Sequence, residues 1–116
     1  MLIGVPKEIK NHEYRIGLTP AGVGELVHDG HSVLVQRDGG ESIGFDDAQY
    51  REAGADIVAN AETLFAEAEM IIKVKEPQPV ECRMLRPGQL LFTYLHLAPD
   101  PEQAKALLAS GATCLA

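Results

Sequence analysis

Short runs of aliphatic and β-branched residues alternate with amphipathic segments along all 116 residues of this chain, and that alternation restricts its fold more than any other feature. Residues 2–5 (Leu-Ile-Gly-Val), 32–37 (Ser-Val-Leu-Val-Gln-Arg), 55–58, 70–74 (Met-Ile-Ile-Lys-Val) and 90–94 have strand composition, and 113–116 begins a sixth run. Helix signals fill the intervals. Thr19-Pro20 opens the first helix, because a threonine hydroxyl caps free N–H groups and proline suits the first helical position. Val23, Leu26 and Val27 form its apolar stripe, and Gly30 supplies a left-handed stop. Asp46 caps a short helix ending near Gly54, and Asn60 caps one whose Ala61, Leu64, Phe65 and Ala68 share a face. A brief helix is expected over 80–85, and another opens at Asp100-Pro101, with Ala104, Leu107 and Leu108 inside and Gly111 at its end. Residues 10–18 read as an extended excursion or a short hairpin.

Strands alternating with helices are βαβ units, whose right-handed crossovers build a parallel sheet covered on both faces. The expected fold is therefore α/β: one doubly wound domain over residues 1–116, with a mostly parallel sheet of flavodoxin-like type. The last run has no helix after it to cover it, so the domain is expected to be incomplete, with an apolar patch exposed on one sheet face.

Charge and composition narrow the function. Ten basic residues against seventeen acidic ones give a net charge of −7, which disfavours nucleic acid and anionic lipid as partners. Although nearly half the residues are apolar, no uninterrupted run approaches the ~18 residues of a membrane span. The N-terminus has no basic segment leading into an apolar stretch, so a cytoplasmic location is expected. Cys82 and Cys114 form no C-x-x-C pair or metal-ligand cluster; both read as buried or idle thiols, and no metal is expected. Glycines 39, 40 and 44 follow a strand, but the G-x-G-x-x-G spacing is not met, and Glu41 would set a negative charge beside a pyrophosphate. A tight turn explains that loop better, so no cofactor-binding residue is assigned.

In open α/β sheets, ligands bind outside the carboxyl ends of the strands. That rule selects Lys75, directly after the fourth run, and His96, just past the fifth. It also selects Pro6, Lys7 and Glu8 after the first run, with Arg15 on the excursion that follows them. Each of the cations has a plainer reading. Lys75 beside Glu76 is also what a solvated charge pair looks like, His96 between Leu95 and Leu97 could be a core histidine, and Arg15 a surface arginine. His12, His28 and His31 read as solvated.

Four segments then carry a resemblance: Met-Leu-Ile-Gly-Val-Pro-Lys-Glu-Ile-Lys at 1–10, Asn-His-Glu-Tyr-Arg-Ile-Gly-Leu-Thr-Pro-Ala-Gly-Val at 11–23, Lys-Val-Lys-Glu-Pro at 73–77, and Phe-Thr-Tyr-Leu-His-Leu-Ala at 92–98. Together they resemble the alanine dehydrogenase family, in register over the whole chain. The resemblance implies an N-terminal substrate-binding domain, with the Rossmann NAD domain and the family's catalytic aspartate lying beyond residue 116. The implied reaction is reversible, NAD-linked oxidative deamination of L-alanine to pyruvate and ammonia by a homo-oligomer, with the isolated chain inactive. Carried over by position, Arg15 resembles the arginine that binds the substrate carboxylate, Lys75 the lysine that contacts substrate, and His96 the catalytic acid/base. A guanidinium fork fits a carboxylate with two hydrogen bonds, and histidine exchanges protons near neutral pH. The loop at 39–45 departs from the family's more Gly- and Ala-rich version. Alternatives are the N-terminal domain of nicotinamide nucleotide transhydrogenase, which shares Arg-x-x-x-Thr-Pro but does not need the lysine and histidine pair, and a non-catalytic domain for small-acid binding or assembly. Saccharopine-type dehydrogenases use a similar pair but fit the long segments less well.

Overall fold

The computed structural model describes residues 1–93 and 109–115. Its six strands are β1 (Leu2–Val5), β2 (Ser32–Gln36), β3 (Asp56–Val58), β4 (Met70–Ile72), β5 (Leu90–Phe92) and β6 (Thr113–Leu115). All neighbours pair in parallel, in the order β3-β2-β1-β4-β5-β6. The doubly wound parallel sheet expected from the alternation is therefore present. Its order matches the 3-2-1-4-5-6 pattern and differs in that respect from the 2-1-3-4-5 order of flavodoxin-like sheets. The order reverses between β1 and β4, which are adjacent in the sheet.

Helices α1 (Pro20–His28) and α2 (Asp47–Glu52) cover one face, while α3 (Ala61–Glu67) and α4 (Pro79–Met84) cover the other. The caps form as the sequence predicts. Thr19 Oγ1 accepts from the Gly22 N–H, Asp46 forms a reciprocal capping box with Gln49, and Asn60 accepts from the Thr63 N–H. Strand alternation divides the core. Ile3, Val5, Val33 and Val35 point to Val23 and Tyr50, whereas Leu34, Ile71 and Leu91 point to Leu64, Phe65 and Cys82. Gly4 faces α3 so closely that a Cβ there would lie 2.7 Å from Leu64 Cδ2 and 2.8 Å from Ala68 Cβ. A side chain at that position would push α3 off the sheet.

Three strands end earlier than composition suggests, the first being β2, which stops at Gln36 rather than residue 37. β4 stops at Ile72 rather than residue 74, because the Val74 and Lys75 N–H groups are taken by the Glu8 carboxylate instead of a neighbouring strand. β5 stops at Phe92. Helix α4 begins at Pro79, two residues after Pro77 and one before the expected start. Most of the helix expected after Asp100 lies outside the described residues; its end at Ala109 and Ser110 is helical, and Gly111 follows at φ 74°. Among the described residues no helix is long and apolar enough to cross a membrane.

Candidate active-site crevice

The candidate site lies at the carboxyl ends of β1 and β4, where the sheet order reverses. From β1 the chain runs through Pro6, Lys7 and Glu8 into the 10–18 excursion, which is extended backbone with one tight turn rather than a hairpin. The Glu13 N–H donates to the Lys10 carbonyl at 3.0 Å, closing the turn, and His12 sits in the left-handed region at φ 63°. Three contacts fasten the far end of the excursion to the domain. Ile16 is buried in the α1/α2 core, and Tyr50 Oη donates to the Leu18 carbonyl at 2.8 Å. Gly17 lies against the end of β4, where an added Cβ would fall 2.6 Å from the Ile72 carbonyl oxygen. Only glycine permits that approach, which holds the excursion beside the carboxyl end of β4.

Arg15 therefore projects from a loop anchored on both sides. Its side chain is 62% exposed, and it grips Glu13 in a two-pronged pair: Nε donates to Oε2 at 3.0 Å and Nη2 to Oε1 at 2.9 Å. The Arg15 N–H also donates to Glu13 Oε2, at 2.8 Å. The Arg15 side-chain hydrogen bonds are the largest influence on the Glu13 carboxyl, with the charge of Lys75 adding to them; against the opposing effect of burial they hold it at about 2. The Glu13 carboxylate thus pairs with Arg15 and also feels the charge of Lys75.

Lys75 follows β4, and its backbone is held from two directions. Glu8 Oε1 accepts from its N–H at 3.2 Å, and Thr93 Oγ1 donates to its carbonyl at 3.0 Å. Beside it, Lys10 pairs with Glu76. Burial pushes the Glu76 carboxyl up, but the hydrogen bond and charge of Lys10 prevail and bring it below the ordinary range.

Beneath the crevice floor lies a charged cluster that sequence reasoning missed. Lys73 Nζ bridges Glu8 Oε1 and Glu81 Oε2, both at 3.0 Å, with all three side chains no more than 2% exposed. Burial pushes the Glu81 carboxyl up, against the opposing pull of Lys73 and the Gln78 N–H. A signal did exist. Lys73 interrupts an apolar strand run at the period-two position of Ile71, which faces the α3/α4 core, and a charge there needs a buried partner. Glu13 and Thr93 were missed as well, since nothing in their local spacing marks them.

Of the residues selected from sequence, Arg15 lies on the excursion after β1 and Lys75 just past the end of β4, with Gly17 of that excursion packed against Ile72; His96 lies outside the described residues. The loop at 38–45 presents nothing suited to a dinucleotide. Glu41–Ile43 forms one 3-10 turn, and Gly40 is packed so tightly that a Cβ would meet both Phe45 and Tyr50 at 2.9 Å. Its close approach serves the domain's own core. Cys82 is a buried thiol, and among the described residues no group of three or more His, Cys, Asp or Glu could hold a metal.

Known proteins share this fold. Residues 4–116 match the family model described as alanine dehydrogenase/PNT, N-terminal domain. An alanine dehydrogenase of Halomonas elongata is 57% identical over 116 residues, which are 100% of this chain and 31% of that protein. A solved L-alanine dehydrogenase superposes with a TM-score of 0.96 at 47% identity, covering 100% of this chain and 32% of its own. A transhydrogenase from Sinorhizobium meliloti superposes with a TM-score of 0.92 at 25% identity, covering 100% of this chain and 34% of its own. The chain thus spans about a third of the length of the relatives it matches.

Proposed function

The chain belongs to the alanine dehydrogenase/PNT N-terminal domain family, and we propose that residues 1–116 belong to the substrate-binding domain of an NAD-dependent alanine dehydrogenase. The reaction is the reversible oxidative deamination of L-alanine to pyruvate and ammonia. The observation that supports the assignment best is the Arg15 fork. It already holds a carboxylate with two hydrogen bonds, and Lys75 stands close enough for its charge to act on that same carboxylate. A 2-oxo acid carries a carboxylate beside a carbonyl, so a guanidinium and an ammonium around one space match both of its ends.

In this reading Arg15 binds the substrate carboxylate, which takes the position of the Glu13 carboxylate. Lys75 donates to the oxygen on the adjacent carbon, stabilising the charge that grows there as ammonia adds to pyruvate. His96 transfers protons as the carbinolamine forms and loses water, a role suited to a side chain that titrates near neutral pH. The nicotinamide cofactor would supply the hydride chemistry when bound: hydride would pass to the imine in the direction described here and from alanine in the reverse. Since the 38–45 loop does not suit it, the cofactor is assigned to a nucleotide-binding domain outside this chain, and the domain alone is expected to be inactive. The full-length protein is proposed to be a cytoplasmic homo-oligomer that acts on small metabolites and uses neither nucleic acid nor membrane. A transhydrogenase-type role is the weaker reading, because the identity to that relative is 25% against 47–57% for the dehydrogenases.

The test uses a full-length protein carrying this domain. Arg15→Lys keeps the charge and loses the fork. Charged hydrogen bonds contribute roughly 1.5–3 kcal/mol, so pyruvate binding should weaken about ten- to a hundredfold. His96→Ala should abolish turnover and leave pyruvate affinity nearly intact. Normal pyruvate affinity in the first variant, or near-normal turnover in the second, would reject these roles and favour a non-catalytic or transhydrogenase-like domain.

A further inference from the structure

We propose that Glu8 is a positioning residue for Lys75, clamping the lysine's backbone so that its ammonium enters the crevice from a fixed root; this rests on Lys75 being the substrate contact. Glu8 and Lys75 follow adjacent parallel strands, β1 and β4, at the point where the sheet order reverses. The Glu8 side chain is 1% exposed, and its oxygens accept from three nitrogens: Lys73 Nζ at 3.0 Å, the Val74 N–H at 3.0 Å and the Lys75 N–H at 3.2 Å. From the other side, buried Thr93 donates to the Lys75 carbonyl at 3.0 Å. Side chains from two other segments therefore fix both peptide groups flanking the Lys75 Cα, beyond the last rung at which β4 pairs with β5.

Stabilising the fold does not by itself explain Glu8. Glu81 already meets Lys73 at 3.0 Å, so the lysine has a buried counter-charge without it. A second buried carboxylate beside the first is unfavourable unless its remaining oxygen positions are used. They are used on the two N–H groups that lead into Lys75. A carboxylate suits this job because it only accepts hydrogen bonds and all three neighbours only donate. Glutamine would turn an NH2 toward one of these donors. A lysine side chain keeps much rotational freedom, and with its first bond fixed fewer of its conformers miss the ligand.

The experiment is a mutant cycle in the full-length protein, reading equilibrium pyruvate affinity in the presence of NADH together with amide exchange at Val74 and Lys75. Glu8→Gln should speed exchange at those two amides and weaken pyruvate binding about tenfold, the scale of effect expected when a binding group is displaced by a fraction of an ångström. In a Lys75→Met background, Glu8→Gln should weaken pyruvate binding no further, since its effect passes through the lysine. Thr93→Val should behave in the same way and serves if Glu8→Gln does not fold. Equal losses in the wild-type and Lys75→Met backgrounds would mean a general structural role and overturn the proposal. So would unchanged affinity in both clamp variants while Lys75→Met binds weakly. Normal pyruvate binding by Lys75→Met itself would overturn the substrate reading and the positioning role together, a result distinct from the other two.

Discussion

Replacing Lys73 with methionine keeps the length of the side chain and removes the one cation between two buried carboxylates. Glu8 and Glu81 each lie 3.0 Å from Lys73 Nζ, and none of the three side chains is more than 2% exposed. Breaking a buried pair by removing one partner costs about 3–5 kcal/mol, because the abandoned charge is neither solvated nor paired. Here two carboxylates are abandoned, so the loss should reach the upper part of that range. Each 1.4 kcal/mol is tenfold, so 4–5 kcal/mol is about a thousandfold fall in amide-exchange protection across β1 and β4. The loss should also depend on pH. Burial already holds the Glu81 carboxyl above the ordinary range even with Lys73 present. A group raised in the folded state contributes stability that is complete below its unfolded value and disappears as pH rises through its folded value. Without Lys73 the Glu81 carboxyl would titrate higher still, so the deficit of the variant should be largest at pH 8 and shrink toward pH 5. Adding Glu81→Gln should restore part of the protection by leaving a single carboxylate that two backbone N–H groups still hold. A loss below about 1 kcal/mol, as for an exposed pair, would refute the reasoning. A deficit that does not change with pH would refute it too.

Further outcomes follow from the same geometry. Gly17→Ala places a methyl 2.6 Å from the Ile72 carbonyl oxygen, so it should shift the 10–18 excursion and weaken pyruvate binding more than it lowers the melting temperature. Tyr50→Phe removes the hydroxyl that holds the Leu18 carbonyl and should destabilise the domain by about 1–2 kcal/mol; spectrophotometric titration of the wild type should place Tyr50 at about 12, where burial pushes it. Glu13 should titrate at about 2 by carboxyl NMR. Its folded value is lowered, so its contribution is complete above the ordinary carboxylate range and is lost as pH falls toward 2; with Arg15 62% exposed that contribution is small, and a midpoint near 4.5 would show that the pair does not form in solution.

The sequence carried much of this and hid a definable remainder. Thr19, Asp46 and Asn60 were readable as caps because a helix start is a local pattern. Arg15 and Lys75 were readable because one rule ties function to the carboxyl ends of parallel strands, and both fall there. Strand order was harder. The parallel class follows from alternation, but whether β1 neighbours β3 or β4 depends on which sheet face α3 covers, and the close approach of Leu64 to Gly4 decides that in three dimensions. The ends of β4 could not be read from composition either, because a glutamate more than sixty positions away competes for its N–H groups. The Glu8–Lys73–Glu81 cluster joins three elements, so Lys73 in its apolar run signals only that some buried partner is needed, and the fold decides which.

The central claim is that this crevice receives the substrate carboxylate on Arg15, and a crystal structure of the full-length protein with pyruvate and NADH tests it most directly. The expected result is the pyruvate carboxylate in the Arg15 fork with Glu13 displaced from it, and the pyruvate carbonyl oxygen within hydrogen-bonding distance of Lys75 Nζ. Pyruvate bound elsewhere, with the Glu13–Arg15 pair intact, would contradict it.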